Sequence, residues 1–307
     1  PTGRNVGRIS FDATAADRYL SHLLGSVTTD LQGLKIVVDC ANGAASQIAP
    51  RAYEKAGATV VAIHHQPDGW NINQDCGSTH LADLQARVIA EKADFGIAHD
   101  GDSDRCLAVD ATGAVIDGDV IMTILARGFK ERGALRDNTI VTTVMSNLGF
   151  MKAMQAADIK VITTTVGDRY VLEEMLKGNY SLGGEQSGHL IMREFAGTGD
   201  GILTALQLAQ EVKRTNRSLA DLAAAMQRFP QVLINVSNVA KEKLESSEKI
   251  SSAVAGAEAT LADSGRVLLR ASGTEPLVRV MVEAASDNLA QEIAASLAAV
   301  VKAELEI

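Results

Sequence analysis

The sequence has few cysteines and no long apolar run. Its three cysteines, Cys40, Cys76 and Cys106, are widely spaced in 307 residues, so neither a disulfide framework nor a cysteine-rich zinc motif is indicated. No apolar run approaches the ~18 residues that a membrane-spanning helix needs, and the first ten residues lack the apolar stretch of a signal peptide. These absences predict a protein of the cytoplasm.

Basic side chains are fewer than acidic ones. The chain carries 29 Lys and Arg against 38 Asp and Glu, which gives a net charge of −9. Such a balance provides no electrostatic footprint for nucleic acid or for an anionic membrane, and neither partner is expected. The hydrophobic content of 46% and charged content of 22% are those of an ordinary globular protein. A chain of this length predicts two or three domains.

The first two thirds of the chain alternate short β-branched runs with helix-like segments. The run from Leu34 to Asp39, a helix-like segment and the run 58–64 form a β-α-β unit, and the same order recurs after Asp117, which is placed to cap a helix. We therefore predict an α/β fold with two similar doubly wound α/β domains, residues 1–114 and 115–229. The similarity indicates a diverged internal repeat, or a chance likeness between two such units.

The last 78 residues show a different pattern. Strand-like runs over 231–239, 266–272 and 277–285 alternate with a charged helical segment, 241–262, and a final helix. Two helices on one face of an antiparallel sheet make an α+β unit. Residues 230–307 are thus predicted to form a smaller α+β C-terminal domain.

Residues 100–105, here the aspartate loop, carry three carboxylates: Asp100, Asp102 and Asp104, followed by Arg105. Like charges this close repel unless a cation lies among them. Alternating carboxylates in a tight turn can converge on one hard cation, and a site completed by phosphate oxygens suits Mg²⁺. Aspartates that merely cap a solvated turn are the structural alternative.

The sequence of the aspartate loop and of the residues after it argues against two other kinds of site. An EF-hand needs glycine at its sixth position and glutamate at its twelfth, where this chain has Arg105 and Ala111. A haloacid-dehalogenase-type phosphatase also starts with Asp-x-Asp, but its hydroxyl or β-branched residue two positions on is replaced by Asp104.

Residues 183–189, the glutamate loop, read GGEQSGH. Glu185, Ser187 and His189 supply the mixture of acceptors and donors that hydroxyl-rich ligands such as sugars need, and the glycines allow close approach of the backbone. An ordinary polar hairpin turn would also use these residues.

Residues 270–276, the arginine loop, read RASGTEP after a strand. The guanidinium of Arg270, the hydroxyls of Ser272 and Thr274 and the exposed backbone at Gly273 form a cradle of the kind that holds a phosphate. An ordinary turn remains open. The Gly-x-x-x-x-Gly-Lys spacing of a nucleotide-binding P-loop is absent.

As a set, the three loops resemble the α-D-phosphohexomutases. That family carries DGDxDR, GExSG and R-x-S-x-T-x-P in this order, and the resemblance covers essentially the whole chain. The versions here are similar to those of the branch acting on glucosamine phosphate. The resemblance implies reversible transfer of phosphate between the 6- and 1-positions of glucosamine phosphate, a phosphorylated amino sugar, through a bisphosphorylated intermediate.

The resemblance also implies roles for individual residues. Asp100, Asp102 and Asp104 would hold Mg²⁺, and Arg105 would lie beside the phosphoryl group that is transferred. Glu185, Ser187 and His189 would bind the sugar, and the non-reacting phosphate would be gripped by Arg270, Ser272, Gly273 and Thr274. The segment 167–169 would line the cleft, although Asp168 is also placed to cap the following helix.

The chain departs from the family in its first part. Family members begin with a domain whose phosphorylated serine, in a Thr-Ala-Ser-His-Asn-type loop, donates the phosphate, and no such loop occurs in these 307 residues. We therefore expect the chain to represent domains two to four, with the N-terminal domain as a missing partner, and to be inactive alone. Ser103, where glycine or alanine is usual, is a smaller departure. A sister mutase for mannose or glucose phosphate, or a non-catalytic phosphosugar-binding protein, are the alternatives.

Overall fold

The chain forms two compact units in a computed structural model that describes residues 2–272 and 275–307. The first unit comprises Pro1–Ser146 and Met154–Ala225, and the second comprises Asn147–Ala153 and Met226–Ile307. No helix among the described residues is both long and apolar enough to cross a membrane.

The first sheet of the first unit has five strands in the order β2-β1-β3-β4-β5. They are β1 (Lys35–Asp39), β2 (Thr59–Ile63), β3 (Phe95–Ala98), β4 (Leu107–Asp110) and β5 (Val115–Ile116). β1 pairs in parallel with β2 and β3, whereas β4 runs antiparallel to both β3 and β5. The central strand β1 is almost continuously apolar and buried, as expected for a parallel strand covered on both faces.

The second sheet repeats this arrangement with four strands. β6 (Thr139–Thr143), β7 (Lys160–Thr164), β8 (Leu182–Gly184) and β9 (Leu190–Met192) lie in the order β7-β6-β8-β9. β6 is parallel to β7 and β8, and β9 returns antiparallel to β8. The shared succession of strands and helices predicted for the two halves is confirmed. In each sheet a polar loop follows the last parallel strand and leads into the antiparallel return.

Helices precede, connect and follow the strands of these two sheets along the chain. They are α1 (Ala15–Gly25), α2 (Ala45–Lys55), α3 (Ala82–Glu91), α4 (Gly118–Glu131), α5 (Leu148–Ala156), α6 (Asp168–Gly178), α7 (Gly201–Thr215) and α8 (Leu219–Ala223). α4 and α7 pack against each other and are buried on almost every face. The side chains of Asp117 and Asp200 cap them by accepting from the N–H groups of Val120 and Leu203.

The second unit contains an antiparallel sheet in the order β10-β12-β11. Its elements are β10 (Gln231–Ser237), α9 (Glu248–Leu261), β11 (Arg266–Ala271), β12 (Leu277–Glu283) and α10 (Asp287–Leu305). Alternate valines of β12 pack with apolar side chains of both helices, which places the core on one face of the sheet. The predicted α+β architecture is confirmed.

Some predicted details are corrected. The charged helix expected over 241–262 is divided into a 3₁₀ segment, Lys241–Ser246, and α9, because Ser247 caps α9 with its hydroxyl. Asp168 is not the cap of α6 but its first residue; Gly167, with φ of 133°, occupies the cap position. The domain boundaries at 114 and 229 stay a prediction, since both α/β sheets belong to one compact unit.

Candidate active site

The aspartate loop connects β3 to β4 in the first unit. One carboxylate oxygen from each of Asp100, Asp102 and Asp104 lies within 4.8 Å of the other two. The Asp100 side chain is 13% exposed, and that of Asp104 is 35% exposed. The three side chains predicted to converge therefore do so.

The electrostatics of this cluster favour a cation. Partial burial, followed by the charge of Asp100, raises the pKa of Asp104 from 3.8 to about 6. Oδ1 of Asp104 is buried without a hydrogen-bond partner among the described residues. The nearest cation is the Arg105 guanidinium, whose Nε lies 3.6 Å from Asp100 Oδ2 and 3.8 Å from Asp104 Oδ1. One arginine among three carboxylates leaves a net negative site.

The backbone of the aspartate loop is held in one conformation. Ser103 has φ of 65°, in the left-handed region, where a serine is less favourable than a glycine. Its carbonyl accepts from the N–H of Gly201, the first residue of α7, at 2.9 Å. A Cβ on Gly201 would lie 2.1 Å from the carbonyl oxygen of Arg105, so only glycine fits this approach.

A buried histidine supports the same loop from behind. The Nδ1 atom of His99 lies 3.0 Å from the carbonyl oxygen of Arg105, and Nε2 lies 2.7 Å from the hydroxyl of Tyr53. Since a carbonyl only accepts, Nδ1 carries the proton and Nε2 accepts from Tyr53. Burial lowers the pKa of His99 below 6.5, which keeps the ring neutral.

The glutamate loop connects β8 to β9, the equivalent position in the second sheet. Glu185 Oε1 accepts from the N–H of Gly167 at 3.0 Å, which fixes the carboxylate. Ser187 is exposed at the turn. His189 is only 4% exposed, and its Nδ1 has no hydrogen-bond partner among the described residues.

The structure brings the aspartate and glutamate loops together. Arg105 and His189 form an antiparallel bridge, and the N–H of Cys106 donates to the carbonyl of Gly188 at 3.0 Å. Nε2 of His189 lies 3.5 Å from Asp104 Oδ2 and 3.9 Å from Asp168 Oδ2. Main-chain bonds therefore join the two polar turns, and an acidic cluster lies beside a sugar-type set of donors and acceptors.

The arginine loop belongs to the second unit. Arg270 on β11 stands directly opposite Arg279 on β12, so both guanidinium groups project from the same face of the sheet. Like charges at opposed positions repel, and an anion between them would relieve the repulsion. The hydroxyl of the buried Ser272 accepts from the N–H of Glu275 at 3.3 Å. Gly273 and Thr274 lie outside the described residues.

Sequence reasoning missed several residues that support these loops. Lys241 donates to the carbonyls of Ser272 and Glu275 in the arginine loop, although it lies 31 residues before Ser272. Tyr53, through His99, and Gly201 support the aspartate loop from segments that are also distant in the chain. No sequence motif reveals such residues. A main-chain carbonyl accepts a hydrogen bond from any donor that the fold brings near it, whatever the position of that donor in the chain.

The fold and its loops define the class of protein. Descriptions of the phosphoglucomutase/phosphomannomutase family match three consecutive stretches: alpha/beta/alpha domain II over residues 17–113, alpha/beta/alpha domain III over 117–229 and the C-terminal domain over 233–300. The chain belongs to this family. The resemblance inferred from the three loops is thereby confirmed.

Individual relatives narrow the class further. The phosphoglucosamine mutase of Thermobifida fusca is 58% identical over 306 residues, covering 100% of this chain and 68% of that protein. The phosphoglucosamine mutase of Corynebacterium glutamicum is 58% identical over 302 residues, with 98% and 68% covered. The chain therefore spans about two thirds of the length of these relatives, and they agree with the predicted amino-sugar branch.

Solved structures share the fold at lower identity. The N-acetylphosphoglucosamine mutase of Aspergillus fumigatus, in complex with GlcNAc-6P and magnesium, matches with a TM-score of 0.78 and 19% identity, over 96% of this chain and 67% of that one. A phosphoglucomutase/phosphomannomutase family protein from Burkholderia thailandensis matches with a TM-score of 0.78 and 24% identity, over 95% and 66%.

Proposed function

We propose that this chain provides the metal-, sugar- and phosphate-binding parts of a phosphoglucosamine mutase, which interconverts glucosamine 6-phosphate and glucosamine 1-phosphate through a bisphosphate. The observation that carries the proposal is the main-chain junction between the aspartate and glutamate loops at Arg105 and His189. It places a cation-binding carboxylate cluster next to groups that recognise sugar hydroxyls. Both substrates bear a phosphate and hydroxyls, so their binding requires a cation site and hydroxyl-binding groups close to each other.

The aspartate loop fits Mg²⁺. Its donors are oxygens only, they converge within 4.8 Å, and Asp104 Oδ1 is buried and without a hydrogen-bond partner in the described chain. Asp100, Asp102 and Asp104 would hold the ion. When bound, Mg²⁺ offsets the negative charge of a phosphoryl group during its transfer.

The remaining polar groups of the first unit position the substrate. The side chain of Arg105, 44% exposed beside the carboxylates, is available to a phosphoryl oxygen. Glu185 keeps one oxygen on Gly167 and presents the other to sugar hydroxyls. His189 Nδ1, buried and unpaired among the described residues, offers one further polar contact. These groups bind and orient, and the phosphoryl donor must come from elsewhere.

In the second unit, Arg270 and Ser272 bind a phosphate group. A charge-assisted hydrogen bond to phosphate contributes about 1.5–3 kcal/mol, so Arg270→Ala should weaken sugar-phosphate binding about tenfold or more. Calorimetric titration of glucosamine 6-phosphate into the chain measures this. Lys249→Ala, which removes an exposed cation paired with Glu304 in the same unit, is the control and should bind normally. Equal affinity of the Arg270→Ala variant and the unchanged chain would remove the arginine loop from the site.

The same titration tests the substrate class. Glucosamine 6-phosphate should bind more tightly than glucose 6-phosphate and mannose 6-phosphate, each measured with Mg²⁺ present. Tighter binding of glucose 6-phosphate or mannose 6-phosphate would replace the amino-sugar assignment with one of the sister activities. An absence of binding for all three, in a chain shown to be folded by circular dichroism, would refute the proposed function.

A further inference from the structure

A second cluster of metal-ligating side chains lies apart from the aspartate loop. Asp39 ends β1, His64 follows β2, and Cys76 precedes a short 3₁₀ turn, Gly77–Thr79. One ligand atom from each of the three residues lies within 4.8 Å of the other two. The residues are separated by 25 and 12 positions in the chain, so the fold and not a local motif assembles them.

The carboxylate of this cluster is buried and fixed. Asp39 and Cys76 are both fully buried, whereas the His64 side chain is 25% exposed. Oδ1 of Asp39 accepts from the N–H of Ala41, and Oδ2 accepts from the N–H of Gly77, each at 2.9 Å. Oδ2 also lies 3.0 Å from Nδ1 of His64. The carboxylate and imidazole thus hold their positions before any ion binds.

The other nitrogen of His64 completes an arrangement typical of metal-bound histidines. Its Nε2 lies 3.3 Å from Oδ2 of Asp83, an exposed carboxylate on α3. Histidines that bind a metal through one nitrogen usually donate the other N–H to such a carboxylate, which sets the tautomer and the ring orientation. In the ion-free chain Nδ1 faces the acceptor Oδ2 of Asp39 at 3.0 Å and therefore carries a proton. When Nδ1 gives up that proton and the ring proton faces Asp83 from Nε2, Nδ1 presents a lone pair toward Asp39 and Cys76.

The surroundings of the thiol are acidic. The carboxylate of Asp39 lies within 4.8 Å of the thiol, Asp83 approaches His64, and Asp75 directly precedes Cys76 in the chain. Three carboxylates around a buried thiol create a negative potential that a divalent cation would offset.

We propose that Asp39, His64 and Cys76 bind Zn²⁺ or a divalent ion of similar softness, at a site distinct from the magnesium loop. Sulfur, imidazole nitrogen and carboxylate oxygen together suit zinc and not Mg²⁺. Zinc bond lengths of about 2.0–2.3 Å place tetrahedral ligand atoms roughly 3.4–3.6 Å apart. Pairs of ligand atoms up to 4.8 Å apart therefore need to approach by up to roughly 1.4 Å, whereas His64 Nδ1 and Asp39 Oδ2, 3.0 Å apart, need to separate slightly. Binding displaces the thiol proton of Cys76 to solvent and requires Nδ1 of His64 to give up its proton, so that the proton of the bound imidazole is on Nε2.

Cobalt provides a direct spectroscopic probe. Co²⁺ added to the 307-residue chain in the presence of excess Mg²⁺ should produce a thiolate-to-metal charge-transfer band in the near ultraviolet and intense visible bands of a tetrahedral site. Cys76→Ser and His64→Gln should abolish or shift these bands. Cys106→Ser removes another buried thiol, and Asp102→Asn alters only the aspartate loop, so both controls should keep the spectrum.

A second measurement needs no variant and therefore does not depend on whether Cys76→Ser folds. X-ray absorption of the unchanged chain with one equivalent of Zn²⁺ should show one sulfur at about 2.3 Å together with nitrogen or oxygen at about 2.0–2.1 Å. A spectrum with only nitrogen and oxygen neighbours would overturn the site. Cobalt bands that persist in a folded Cys76→Ser variant would overturn it equally.

Discussion

At the residue scale, the aspartate loop concentrates charge that only a cation offsets. Partial burial, and after it the charge of Asp100, raises the pKa of Asp104 to about 6, which shows that the loop disfavours a further negative charge. Changing Asp102 and Asp104 together to asparagine removes two charged donors while preserving side-chain shape. We expect Mg²⁺ affinity to fall about tenfold or more, measured by calorimetry.

The matched control for that change lies elsewhere on the first unit. Asp12 and Asp17 are exposed carboxylates at the start of α1, each paired with an arginine. Their double asparagine variant loses the same formal charge and should leave Mg²⁺ binding unchanged. If the loop variant retained the affinity of the unchanged chain, the metal assignment would be wrong.

A second residue-scale prediction concerns His99 and pH. The folded state lowers the pKa of this histidine below 6.5, whereas the unfolded chain leaves it near that ordinary value. Between the two values the unfolded state binds more protons, so stability is lost as the pH falls below 6.5, by up to about 1.4 kcal/mol per pH unit.

Urea unfolding at several pH values between about 5.5 and 7.5 measures this loss. His99→Gln keeps hydrogen-bonding capacity but does not titrate, so its stability should depend less on pH over this interval. Identical slopes for the variant and the unchanged chain would show that His99 does not contribute to the pH dependence.

At the element scale, the first turn of α7 sets the shape of the aspartate loop. The N–H of Gly201 holds Ser103, and a Cβ at this position would meet the Arg105 carbonyl at 2.1 Å and His99 Nδ1 at 2.9 Å. Gly201→Ala should therefore displace the loop, destabilise the chain by about 1–3 kcal/mol and weaken Mg²⁺ binding. Denaturant unfolding and calorimetry measure the two effects.

Gly256 is the control glycine for this change. It lies inside α9, and nothing stands within 4 Å of a Cβ added there. Gly256→Ala should stabilise the chain by about 0.5–1 kcal/mol, because alanine favours the helix more than glycine does. A Gly201→Ala variant that behaved like Gly256→Ala would contradict the tight contact at the start of α7.

At the scale of the whole molecule, binding and turnover are separable. Phosphoryl transfer needs a donor aligned in line with the accepting oxygen, and the assigned metal and arginine groups only stabilise the charge that develops. We expect the 307-residue chain alone to show no mutase turnover, even with Mg²⁺ and a hexose 1,6-bisphosphate. A coupled assay for glucosamine 1-phosphate measures this.

The complete relative from Thermobifida fusca serves as the positive control in that assay, since the chain spans 68% of its length. Turnover by the pure chain that survives further purification and is abolished by Asp102→Asn would show that a nucleophile lies within these 307 residues. Any activity that purification removes would instead come from a contaminant.

The sequence by itself determined which segments form helices and strands and where turns separate them. β-branched runs, caps such as Asp117 and the change of pattern after residue 230 predicted both α/β sheets and the α+β unit, because these signals act over a few neighbouring residues. The carboxylates of the aspartate loop were predictable for the same reason. Three of them within five positions have to converge in a tight turn.

Only the tertiary structure decided which separate segments meet. The bridge from Arg105 to His189, the support of His99 by Tyr53 and the grouping of Asp39, His64 and Cys76 join residues that lie from 12 to 84 positions apart. Each contact depends on strand order and on where a polypeptide turn ends in space. When the partners of a hydrogen bond or the ligands of a metal come from different elements, their contact requires no particular spacing in the sequence. No sequence motif therefore reveals it.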